Sequence, residues 1–374
     1  ERNAGGPNSW GEVKKLTADR IGMTVGIAGD VIAAGAPGDN YDRGAVYVFE
    51  RNAGGTDNWG EVKKLVASDG TTNDCLGMVV SVWGDVIVAG AWDGRMNGKP
   101  GSAYVFERDA GGTNNWGQVR KLQASDASSG DAFGWEGACV RGDVIVVGAR
   151  YQTVGTNASQ GAAYVFERNA GGTNNWGEVK ELILTDGVNG DNFGWNLSLY
   201  GDTVCVRGGT NAYQFSRNVG GINNWGEMRR IQRSGFLAMD GDVIAMGASW
   251  DCIGVNTNQG AVYLYPRQYD NWESGRELMA ADGTTDDWLG CSVSADGDLM
   301  VVGAGYHQVG TNVGQGAAYV FERNAGGTDN WGQVKELVSS DGLPWDAFGS
   351  SVNVGGEFIV VGAPSHQEGT NVQQ

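Results

Sequence analysis

Residues 133–149 read FGWEGACVRGDVIVVGA, followed by GAAYVFER at 161–168 and NNWGEVKEL at 174–182. The run Val144–Val147 is continuously apolar and β-branched, as expected of a strand covered on both faces. It follows a mixed apolar stretch across Gly142-Asp143, a dipeptide whose glycine supplies the positive φ of a tight hairpin. AAYVF is β-branched and aromatic. The more charged EVKEL suits an edge strand that must not pair with strangers. Four strand signals therefore lie within about 50 residues, and sustained helical periodicity is absent.

The same stretch recurs. LGCSVSADGDLMVVGA occupies 289–304, and GAVYVFER and GAAYVFER recur at 44–51 and 316–323. Trp-centred copies of the fourth segment stand at Trp10, Trp59, Trp116, Trp176, Trp225, Trp272 and Trp331, spaced 47 to 60 residues apart. Units of four short strands at this period are the mark of propeller blades, since one blade leaves both faces bare and neighbours in a ring cover them. The expectation is an all-β, seven-bladed β-propeller of four-stranded antiparallel blades, a single domain over 1–374. Only six copies of the AYVF strand are found against seven of the others. Residues 8–16 are expected to complete blade 7, opened by the C-terminal residues, with the missing strand supplied by a longer parent chain or, as second choice, by a neighbouring molecule.

Of the 374 residues 64 are glycine and only 6 proline, and the formal charge is −18. Such a surface repels phosphate backbones, so nucleic acid is not an expected partner. No apolar run approaches the ~20 residues of a membrane span. Five cysteines without metal-type spacing read as small buried hydrophobes, with one adventitious disulfide as the alternative.

These motifs resemble the bacterial and algal FG-GAP repeat proteins, relatives of the propeller in integrin α subunits. The matching residues are FG at 133–134, 193–194 and 348–349, GAP at 35–37 and 362–364, and the GAxYVFERNAGG and WGEVKKL strings between them. The resemblance spans the whole chain. It implies an exported or cell-surface binding, adhesive or assembly module without naming a ligand. The DxDxDG calcium loop of integrin-type blades is replaced here by a bare Gly-Asp turn, so calcium at that place is not carried over.

Catalysis is not expected. The two histidines, His307 and His366, lie in equivalent loops and read as solvated, and no nucleophile elbow accompanies them. Aspartates pair at i, i+5 in Asp69/Asp74, Asp126/Asp131, Asp186/Asp191, Asp282/Asp287 and Asp341/Asp346. Two readings fit this repetition: side chains that bond nearby backbone N–H groups and fix a turn, or a calcium site of clustered oxygens. Asp126, Asp131, Asp186 and Asp191 are the paired calcium candidates. Asp39, Asn40 and Asp42 in GAPGDNYDRG form the best single one.

The Trp-Gly tryptophans read as architectural. Seven others are irregular: Trp83, Trp92, Trp135, Trp195, Trp250, Trp288 and Trp345. Trp92, Trp250, Trp288 and Trp345 fall in loops expected on one end of the blades, where exposed rings anchor protein partners or stack on sugars. The expected partner is a protein, including another copy of this chain. The alternative is a glycan-binding lectin.

Overall fold

The computed structural model describes the chain apart from residues 7–8, 93–97, 267–274 and 367–374; the Trp272 copy and the tail from 367 lie outside the described residues. The protein is a β-propeller of antiparallel blades, with six four-stranded sheets and one two-stranded sheet among the described residues. Strands pair in chain order, and the blades are numbered along the chain: 24–65, 76–122, 133–182, 197–231, 236–278, 292–337 and, as blade 7, 351–362. Blade 3 shows the pattern with Phe133–Arg141, Val144–Ala149, Ala162–Glu167 and Gly177–Leu182. There Val146 faces Cys139 on one side and Val165 on the other.

The hairpin glycines all take left-handed backbone, from φ 54 at Gly241 to 59 at Gly142 and Gly297, as the Gly-Asp signal requires. In the fourth strand the ladder slips by one residue opposite Val165/Phe166, and the same slip recurs at Val48/Phe49, Val105/Phe106, Gln214/Phe215 and Val320/Phe321. The skipped residue is the hydrophobe of the Trp-Gly strand, and Val62, Val179, Met228 and Val334 are accordingly exposed. A bulge on an exposed, charged strand twists that edge away from foreign pairing.

Seven four-stranded blades were expected, the last lacking one strand in this chain. Among the described residues six four-stranded blades are present, and the seventh sheet consists of Ser351–Gly355 and Phe358–Gly362. Residues 9–16 form no strand beyond the Arg2–Trp10 bridge, because no third strand stands beside them among the described residues to supply a ladder.

The chain packs as two compact units. One comprises Glu1–Gly29, Gly54–Trp59 and Gly235–Gln374; the other comprises Asp30–Ala53 and Gly60–Ser234. Within each, neighbouring sheets share apolar layers. Val88, Val105, Phe133, Ile145, Tyr164 and Phe166 form one in the second unit, and Val262, Leu289, Met300, Val302 and Phe321 form another in the first.

The FG and GA dipeptides hold these layers together at their closest points. A Cβ added to Gly148 would fall 1.9 Å from the carbonyl oxygen of Gly194, and one at Gly303 would fall 1.8 Å from that of Gly349. The glycine of GA in one blade thus lies against the glycine of FG in the next, backbone on backbone. The Glu-Arg that ends AYVFER also links neighbouring blades, at the other end of the strands. Arg168 bonds Glu107 of the preceding blade at 2.6 Å and Asp143 of its own hairpin at 2.6 Å, while its guanidinium lies 4.5 Å from the Trp176 ring. Arg217 repeats this with Glu167, Asp202 and Trp225. Trp10, Trp59, Trp116, Trp176, Trp225 and Trp331 are all buried, as architectural residues must be.

Candidate functional site

Three of the loops between second and third strands are anchored by a repeated latch. In blade 3, Asn157 Nδ2 bonds the Gly187 carbonyl at 2.8 Å while Gln160 Nε2 bonds the Leu184 carbonyl at 2.8 Å. Asn256/Gln259 and Asn312/Gln315 repeat the device over Gly283 and Gly342. A Cβ on Gly187 would lie 2.4 Å from Gln160 Nε2, which is why glycine stands there. In these three blades the latch ties the loop between second and third strands to the connection entering the next blade, so aromatic residues from both can meet.

In the first unit this gives a trio. The Trp250 and Trp288 rings are centred 4.3 Å apart, and Trp288 and Tyr306 are 4.4 Å apart. Trp250 is 62 % exposed, Tyr306 is 43 % exposed and Trp288 is half-buried between them. Trp345 is also exposed and lies over Gly314, where a Cβ would come within 2.6 Å of its ring.

In the second unit the rings are interleaved with arginine. Trp92 stacks on Trp135 at 4.5 Å and 8°. The Arg150 guanidinium lies 4.0 Å from Trp135 and 4.6 Å from Trp195, and Arg207 covers Trp195 at 3.9 Å. Glu136 bonds Arg150 within this stack. Burial pushes the Glu136 carboxyl above the usual range against the pull of Arg150, and burial draws Arg207 down. Trp83 stands apart from these loops, at a hairpin end, under Arg141 at 4.6 Å.

Of the four tryptophans expected to bind, Trp250 and Trp288 come together and Trp92 packs into the arginine stack. Tyr306, Arg150 and Arg207 were not singled out from sequence. One signal was available: an aromatic recurs two residues after GA, at Tyr151, Trp250 and Tyr306.

The aspartate pairs divide their labour. The second member of each accepts the backbone N–H three residues earlier: Thr71 to Asp74 at 2.6 Å, Ser128 to Asp131 at 2.5 Å, and Val188 to Asp191 at 2.7 Å. The first member meets the tyrosine of the third strand or a cation of the fourth. Asp69 takes Tyr104 and Lys121, Asp126 takes Tyr164 and Gln152, and Asp186 takes Arg230 through two bonds. Asp39 plays this part in blade 1, buried beneath Tyr47 Oη and Lys64 Nζ at 2.6 and 2.8 Å. Asn40 and Asp42 continue from it in a left-handed turn with φ 48 and 60.

Among the described residues, the one group of three or more histidine, cysteine, aspartate or glutamate side chains close enough to share an ion is Asp282, His307 and Glu336. The solvated reading of His307 is corrected, for its side chain is 7 % exposed. The loop latch folds it inward onto Asp287 and Asp282. Burial works against its charged form, but Asp287, Asp282 and Glu336 together hold it above the usual histidine range. All five cysteines are free, and burial pushes the Cys205 thiol up to about 12.

A repeat propeller built this way belongs to a definite class of fold, and its motifs identify the family. The FG-GAP repeat profile matches residues 59–106, 116–166, 176–209, 272–321 and 331–373, more than half of the chain, and the protein belongs to the FG-GAP repeat family. None of the curated proteins matches it in sequence. Among solved structures it is similar to the hydrazine synthase of Kuenenia stuttgartiensis, with TM-score 0.54 and 10 % identity over 94 % of this chain and 98 % of that one. It is also similar to KlHsv2 with loop 6CD replaced by a Gly-Ser linker, with TM-score 0.49 and 10 % identity over 93 % and 91 %. At this identity the first likeness shows the fold alone, and the second carries no argument.

Proposed function

We propose that this chain is a non-catalytic recognition module that binds a protein partner outside the cell, as an adhesive or assembly element. The observation that carries the reading is the Trp250–Trp288–Tyr306 trio. Its outer ring is 62 % exposed although the Trp-Gly tryptophans described are all buried. Large aromatic side chains fixed by neighbours offer contact area at little entropic cost, the property of interface anchors. A rigid blade scaffold with variable latched loops supports the same reading. Among the described residues no helix is long and apolar enough to cross a membrane.

The scaffold is proposed to be a single seven-bladed ring closed by the N-terminal segment. Trp10 packs with Val352 and Val354, and Arg2 bonds Glu322 as Arg108 does Glu50. Glu12 accepts the Ser340 N–H as Glu178 accepts that of Ser125, and Lys15 reaches Asp341 as Lys121 reaches Asp69. The segment at 9–16 thus repeats the contacts of a fourth strand.

The test offers the purified chain to an array of secreted and surface proteins and to a glycan array, alongside the Trp250→Ala/Tyr306→Ala variant. Protein binding weakened more than tenfold in the variant is the expected result. Glycan binding abolished by the same changes, or by Trp345→Ala, would replace the reading with a lectin. Concentration-dependent sedimentation of the chain alone, lost in the variant, would identify the partner as a second copy.

A further inference from the structure

Each of blades 1, 2, 4 and 7 holds an aspartate beside a basic side chain: Asp39 with Lys64, Asp69 with Lys121, Asp186 with Arg230, and Asp341 with Lys15. Blade 7 adds a histidine. His366 Nδ1 lies 2.7 Å from Asp346, and its Nε2 accepts from Lys15 Nζ at 2.7 Å, while the same ammonium bonds Asp341 at 2.7 Å. One cation therefore sits between a histidine nitrogen and a carboxylate.

Blade 6 keeps that frame and lacks the lysine. His307 Nδ1 faces Asp287 Oδ2 at 3.1 Å, and Asp287 is itself held by Thr284 through its N–H and Oγ1. Tyr319 Oη bonds Asp282 Oδ1 at 3.0 Å, leaving Oδ2 turned toward the histidine. Where blade 7 has Lys15, blade 6 has Glu336. His307 Nε2 points between the two carboxylates, 3.8 Å from Asp282 and 3.7 Å from Glu336, beyond hydrogen-bond reach of either. The imidazole is more than nine-tenths buried, whereas Asp282 and Glu336 are partly open to solvent, so an ion has a path in.

We infer that Asp282, His307 and Glu336 bind a divalent transition cation, zinc foremost, at the place that the Lys15 ammonium fills in blade 7. A histidine whose second nitrogen is held by a carboxylate is the usual arrangement of a metal-bound imidazole. Ligands at about 2.0–2.2 Å in a tetrahedron stand roughly 3.4 Å apart; the two histidine–carboxylate separations are within a few tenths of an ångström of that, and all three donors lie within 4.8 Å of one another. The nitrogen ligand favours zinc and its neighbours over calcium or magnesium, and three protein ligands leave a fourth position for water. Blade 3 carries an amide at the histidine position. There Gln152 replaces the histidine and bonds Asp126 at 2.8 Å, with Glu181 in the fourth strand.

The blade 3 and blade 7 patterns supply the two variants. The full chain, stripped with EDTA, is titrated with Zn²⁺ by calorimetry and thermal melting, beside His307→Gln and Glu336→Lys. The wild type is expected to take up one more equivalent than either variant and to melt higher with zinc. In the variants the affinity at this site falls at least tenfold while the EDTA-treated proteins still melt cooperatively. The inference is overturned if wild type shows no zinc-dependent shift, if both variants bind as wild type does, or if millimolar Ca²⁺ displaces the zinc. A variant that fails to fold leaves the other to decide.

Discussion

Replacing Gly148 by alanine tests the claim that family glycines exist for contact between blades rather than for backbone freedom. Gly148 is not in the left-handed region, so the added methyl carries no conformational penalty there. Its cost is steric. The new Cβ would lie 1.9 Å from Gly194 O, more than an ångström inside the 3.0 Å limit that real Cβ atoms respect. Neither side can turn away, because Gly148 is laddered to Ala163 and the Gly194 N–H bonds Arg207 O at 3.0 Å. Overpacking of this kind costs about 1–3 kcal/mol or more, and the backbone on both sides places it at the upper end. The gain from a stiffer unfolded chain is only about 0.4–1 kcal/mol, leaving a net loss of roughly 2–3 kcal/mol. Gly142→Ala is the matched control. With φ 59 and nothing within 4 Å of its Cβ, it meets strain alone, about 1–2 kcal/mol before the same gain. Urea unfolding followed by tryptophan fluorescence reads both variants. If Gly148→Ala shifts the midpoint no more than Gly142→Ala, the backbone contact between blades is not what the glycine is for.

The acid-rich cluster of blade 3 gives a pH-dependent expectation. Burial, followed by the nearby charges of Asp126 and Glu178, holds the Glu181 carboxyl above its ordinary value. A carboxyl raised on folding adds stability below its unfolded pKa and loses it as pH climbs through the folded one. Glu181→Gln should therefore be more stable than wild type at pH 7, by no more than about 1 kcal/mol for a half-buried group screened by solvent, and match it below about pH 4. An equal difference at both values would remove the electrostatic account. Thiol accessibility gives another expectation: Cys252 is exposed and should react with a disulfide reagent at pH 8, while buried Cys205 stays unmodified until the chain unfolds. Rapid labelling of both in the folded protein would contradict the packing of blade 4.

The strands were legible because each answers a local rule. Alternating and continuous apolar runs, Gly-Asp hairpins and a charged edge strand all act within a few residues, and repetition multiplied the signal. The bulge that expels Val62 and Val179 was not legible, since it depends on a one-residue slip against the third strand. Count was the weaker reading. A Trp-Gly segment at 9–16 looks like its siblings in sequence, yet a ladder needs a neighbour beside it.

The chemistry divided in the same way. Repetition itself marked the aspartate pairs as a recurring feature, and the turn-fixing bonds of Asp74, Asp131 and Asp191 span only three residues. The meeting of Asp282, His307 and Glu336 spans three separate segments, and Trp288 meets Trp250 of one blade and Tyr306 of the next. Hydrogen-bonding reach and backbone preference are written residue by residue, so sequence alone determined the blade and its motifs. Which side chains of neighbouring blades share a volume depends on how the sheets stack, and only the tertiary structure decided it.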